Sequence, residues 1–222
     1  LSVVVNDLGG GFKQDIKALQ IGGPLGGLVP VSKIDDLTID FESFSKGLEI
    51  KTTQQDKQAY FDTAEENILL WSQVDQGRFY HAKGLFIESE GHIELAKTTF
   101  TESIKIFEKS GKPNEYWVKS LLDRSYMDYL LTNDTSVYCA DRVKALEIAR
   151  LQENTEALIG TLTSNVFCMN DGFEGFKPGL ALLTEAAQVA KNNQLSEKHS
   201  AMIHNATGLL YKSNHLHEKA YE

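Results

Sequence analysis

"YHAKGLFIESEGHIELAKTTFTES", residues 80–103, decides the architecture of this chain. Its apolar residues recur at three and four positions and Gly91 interrupts them, which predicts two helices and a tight turn. Gly84 in the first helix and Ala96 early in the second are small where helices normally carry bulk. Antiparallel helices that cross at small residues approach closely, and a large residue one turn on, Phe100, fills the groove beside them. On this frame Lys97, one position beyond Ala96, faces solvent.

The same arrangement returns in "HNATGLLYKSNHLHEKAYE", residues 204–222. Gly84 matches Gly208, Ile87 matches Tyr211 and Ala96 matches Ala220. The second helix opens as "GHIELA" in one copy and "HLHEKA" in the other. Between them the second-helix pattern of Ala96, Phe100 and Ser103 recurs in weaker form as Cys139, Val143 and Leu146, and again as Gly179, Leu183 and Ala186. Breaks fall at Gly77, Gly91, Gly111–Pro113, Asn133–Asp134, Gly172–Pro178 and Asn192–Asn193.

Small and large residues placed this way resemble the tetratricopeptide repeat over residues 78 to 222. The units run 78–112, 113–153, 154–194 and 195–222, the last one truncated. Equivalent positions lie 43, 40 and 41 residues apart, longer than the family's usual period of about 34. The resemblance implies an α-α superhelix of antiparallel helix pairs. Its concave face is built from the first helix of each pair and binds an extended peptide or a partner helix. A lead-in helix is expected within residues 51–77.

Residues 1–50 read differently. They hold most of the glycine and the β-branched alternation, and "DIKALQIGG" predicts a strand ending near Ile21. "KIDDLTIDFESF" places Asp35 or Asp36 at a short turn, with Thr38, Ile39 and Phe41 extended. In "ALQIGGPLGGLVP", residues 18–30, Gly22, Gly23, Gly26 and Gly27 lack the G-x-G-x-x-G spacing, and "LVPVSK" is no helix start. A phosphate cradle needs both, so the stretch is a structural turn in which glycine permits positive φ and Pro24 fixes a corner.

The wording "LGGGF…IKALQIGGPLGGLVP…DDLTIDFESF" nevertheless resembles a known segment. It is similar to the soluble-ligand-binding β-grasp (SLBB) of the NADH-binding flavin subunits of NADH dehydrogenase, bidirectional hydrogenases and NAD-dependent formate dehydrogenase. The β subunit of formate dehydrogenase is nearest in wording. The match covers residues 1 to about 47 and implies a partial β-grasp. The family's flavin and NADH loops and its C-x-x-C-x-x-C cluster motif have no counterpart here. None of its cofactor ligands maps onto a residue, so neither cofactor nor catalytic residue is expected.

A net charge of −9 repels phosphate backbones and speaks against a nucleic-acid partner. No apolar run approaches the roughly 20 residues of a membrane helix. No charged leader is visible, and the chain reads as cytoplasmic. It begins at Leu1 and stops in "HEKAYE", which reads as a piece of a longer chain. Cys139 and Cys168 are too few for a cluster or a structural zinc. Both fall in predicted helices of a chain that reads as cytoplasmic, so a disulfide is not their expected state. His215 and His217 are joined by no carboxylate or cysteine at a ligand spacing, and no metal is expected.

The aromatics Phe79, Tyr80, Phe86, Tyr116, Trp117, Tyr126 and Tyr129 sit at helical spacing, which first implies core packing. Some of them, with Arg78, are candidates for the groove. The residues assigned to the concave groove are Tyr80, Lys83, Arg124, Asp128 and His204. The expected function is a non-catalytic scaffold for protein–protein interaction. The alternative is a fragment of an NAD-dependent oxidoreductase that lacks its flavin, NADH and iron–sulfur sites. A third reading joins two unrelated sequences near Gly47.

Overall fold

A computed structural model describes residues 18–20, 28–30, 40–169, 176–194 and 196–220. The described residues are mainly helical, and the chain divides into two units, residues 1–76 and 77–222.

In the first unit, β1 (Ala18–Gln20) pairs antiparallel with β2 (Leu28–Pro30), with Leu19 opposite Val29. The glycine-rich residues 21–27 between them lie outside the described residues, as do Asp35, Asp36, Thr38 and Ile39. Phe41 does not continue a strand. Asp40 accepts a hydrogen bond from the Ser43 N–H at 2.7 Å and caps α1 (Phe41–Glu49). The reason is local: an Asp cap satisfies a free amide, and helical spacing then turns Phe41 and Phe44 to one buried face.

The expected lead-in helix is broken in two. Helix α2 (Gln54–Glu65) starts at a reciprocal cap, where the Asp56 N–H donates to the Thr53 hydroxyl and that hydroxyl donates to the Asp56 carboxylate. A single 3₁₀ turn, Ile68–Leu70, follows and buries Ile68. The fully buried Phe44 ring stacks on Tyr60 at 5.1 Å and tilts against Phe61 and Trp71.

The second unit is a succession of helix pairs. These are α3 (Gln73–Ser89) with α4 (Ile93–Ser110), α5 (Glu115–Thr132) with α6 (Thr135–Arg150), α7 (Thr155–Asn165) with α8 (Phe176–Asn192), and α9 (Glu197–Ser213) with the short α10 (His217–Ala220). Gly77 is not a break. It lies inside α3, because its missing side chain leaves room for the Phe107 ring. The true turns use residues that tolerate positive φ: Gly91 at 81°, Gly111 at 63° and Asn133 at 52°. Asn114 and Asn154 cap α5 and α7 by accepting from Trp117 and Ala157 N–H, each at 3.0 Å.

Side-chain pairing sets the direction of each hairpin. Gly77 meets Phe107 while Gly84 meets Phe100, so α3 and α4 run antiparallel. In the next pair Tyr129 meets Tyr138 while Arg124 meets Asp141, which is again antiparallel. The first helices also touch in succession. His81 of α3 reaches Asp123 of α5, Asn154 at the head of α7 donates to Glu115 of α5, and α7 packs on α9.

Two expectations from the sequence are corrected here. In α6 the buried stripe is Tyr138, Ala145, Leu146, Ile148 and Ala149, whereas Val143 is 39% exposed. The repeat frame placed on Cys139 and Val143 is off by one, because half-buried Arg142 occupies the inward position. The cysteines are not thiols: Cys139 and Cys168 form a disulfide with their Cα atoms 5.3 Å apart. Cys168 sits in the 3₁₀ turn Val166–Met169, which follows α7 and continues alongside α6.

Candidate functional site

The first helices α3 and α5 bring aromatic, basic and acidic side chains together. Seven-residue spacing on α5 lines up Tyr116, Asp123 and Leu130, with Lys119 and Tyr126 beside them. Tyr126 and Leu130 are 46% and 45% exposed, well above what a core residue shows.

The α3 side completes the patch. His81 is buried, and its Nε2 lies 2.8 Å from Asp123 Oδ2. The Tyr116 ring stands edge-on to His81. Arg78 and Lys119 both lie over that same ring, each 4.7 Å from its centroid. A phenol face is electron-rich, so it holds two cations that would otherwise repel. Further along α3, burial and the nearby Asp123 charge push the Glu88 carboxyl above its usual range.

The patch is therefore basic and aromatic at Arg78, Tyr116 and Lys119, and acidic at Asp123 and Glu88. It sets charged groups beside apolar ones. Among the described residues, no three His, Cys, Asp or Glu side chains converge as metal ligands. No described helix is long and apolar enough to cross a membrane.

Of the five residues assigned from sequence, Arg124 and Asp128 lie one turn apart on α5 and interact electrostatically, and the five do not form one group. Arg124 makes a bidentate contact with Asp141, both bonds at 2.7 Å, and reaches Thr101 of α4. This binding to a carboxylate holds its guanidinium above the ordinary range. Asp128 is buried and ion-pairs with Lys97 of α4 at 2.5 Å. Both side chains thus point between helices and tie α5 to α4 and α6. Tyr80 lies about half a turn around α3 from Arg78, and Lys83 about half a turn from His81, so neither shares the α5 side. His204 is exposed on α9, with its Nδ1 2.7 Å from the Ser200 carbonyl.

Sequence reasoning missed Asp123. The signal was present as the seven-residue step from Tyr116, but the partner of His81 is 42 residues away. No protein-family profile, curated protein or solved structure matches this chain.

Proposed function

We propose that the chain is a non-catalytic interaction scaffold. In this reading the helix pairs form a tetratricopeptide-like array whose first helices make a concave face that binds a peptide or partner helix. The observation that carries it is the succession of contacts from α3 to α5, α5 to α7 and α7 to α9. A surface built from first helices is the part of such an array that receives ligands. Tyr126 and Lys119 are accessible aromatic and cationic groups on it, and tyrosine is among the residues enriched at interaction hot spots.

The test is selection of peptides from a random display library on the full chain, followed by affinity measurement against a Tyr126→Ala, Lys119→Glu double variant. Selected peptides are expected to weaken by about tenfold or more, with the thermal midpoint nearly unchanged. Peptides that bind both proteins equally would overturn this reading. The oxidoreductase alternative rests on residues 1–47.

A further inference from the structure

The joint between α6 and the end of α7 is held twice over. Arg142 donates to the Ser164 carbonyl at 2.8 Å, and the Asn165 side-chain amide donates to the Arg142 carbonyl at 2.8 Å. One turn back along α6, Cys139 is bonded to Cys168. Val166 lies between these contacts, is fully buried and belongs to the same hydrophobic cluster as Leu146 of α6 and Leu183 and Ala186 of α8. The hydrogen bonds and the core hold the two cysteine backbones near one another whether or not the sulfurs are bonded. Neither cysteine is fully buried; both are half-buried.

We propose that Cys139 and Cys168 form a reversible redox modification site, a dithiol–disulfide couple that locks this joint. The oxidant is a low-molecular-weight disulfide. One cysteine thiolate attacks it, its sulfur–sulfur bond breaks, and one small thiolate leaves. The second cysteine thiolate attacks the protein sulfur of the mixed disulfide and expels the other small thiolate. The two protein thiols are oxidised, and their two electrons and two protons end on two small-molecule thiols. The bond closes a loop of 29 residues, which restricts the unfolded chain and raises the thermal midpoint by something on the order of 10 °C.

The experiment uses the full chain equilibrated with glutathione disulfide or with dithiothreitol, then alkylated under denaturing conditions, weighed intact and melted. The oxidised sample is expected to lose both alkylatable thiols with no glutathione adduct and no dimer. Its midpoint rises, and dithiothreitol added to the folded protein reverses both changes. Cys139→Ser is expected to take up glutathione as a stable adduct on Cys168 and to show no rise. The proposal is overturned if both thiols stay alkylatable after oxidation, if the product is an adduct or a dimer, if the midpoint does not move, or if the folded protein's bond resists dithiothreitol. The wild-type measurements decide the matter even where the serine variant does not fold.

Discussion

Gly84 of α3 lies so close beneath Phe100 of α4 that a Cβ on residue 84 would stand 2.5 Å from the ring's Cε1 atom. Phe100 is fully buried and cannot swing clear. Alanine at 84 gains about 1 kcal/mol of helix propensity, but overpacking of such a site costs about 1–3 kcal/mol. Gly84→Ala is therefore expected to destabilise in urea denaturation despite its better propensity.

Gly160 provides the opposite case. It sits in α7 with no atom within 4 Å of where a Cβ would be. Gly160→Ala is expected to stabilise by about 0.5–1 kcal/mol. Opposite signs at 84 and 160 in the same assay would separate close contact from propensity.

Lys97 does not simply face solvent. Its ammonium is the partner of Asp128, whose side chain is 10% exposed. Lys97→Met would leave a nearly buried carboxylate without its cation and is expected to cost about 1–3 kcal/mol. Asp128→Asn in the same chain should recover part of that loss. A double-mutant cycle with no coupling would mean that the pair contributes nothing to stability.

Asp40 links stability to pH. The Ser43 N–H holds its carboxyl below the ordinary range, so the folded state favours the ionised form. The contribution is present above the unfolded carboxyl's pKa and is lost as pH falls through the folded one. Asp40→Ala is expected to cost about 1 kcal/mol at neutral pH. The gap should narrow on acidification in parallel melts of the two proteins.

Glu88 works in the reverse sense. Its carboxyl is pushed up, so folding disfavours the ionised form, and stability falls as pH rises from the unfolded pKa to the folded one. Glu88→Gln should stabilise at neutral pH by about 0.5 kcal/mol or less after solvent screening. It should change nothing once the wild-type carboxyl is protonated.

Helix content was legible wherever small and apolar residues recur at three and four positions, as in Gly84, Ala96 and Phe100. The inward face of a helix was misread where a polar side chain takes an inward place. Arg142 reads as a surface residue, yet its guanidinium spans to the Ser164 carbonyl and lies over the Tyr138 ring. At Phe41, alternation with Ile39 suggested a strand, but the Asp40 cap and the Phe44 contacts select a helix. The candidate face was only half legible. Tyr116 and Tyr126 were visible as aromatics, whereas the inward aim of Arg124 and Asp128 depends on Asp141 and Lys97, partners 17 and 31 positions distant. The cysteine pairing depends on the 3₁₀ turn after α7 continuing alongside α6, which residue spacing does not encode.

Gly77 and Gly84 are seven residues apart on α3, and the rings they receive, Phe107 and Phe100, are seven apart on α4. Sliding one helix past the other by a single residue would press both rings against positions that carry side chains. Under tension this hairpin therefore resists shear along its length. It yields by peeling from one end, which requires the rings to leave their notches one at a time.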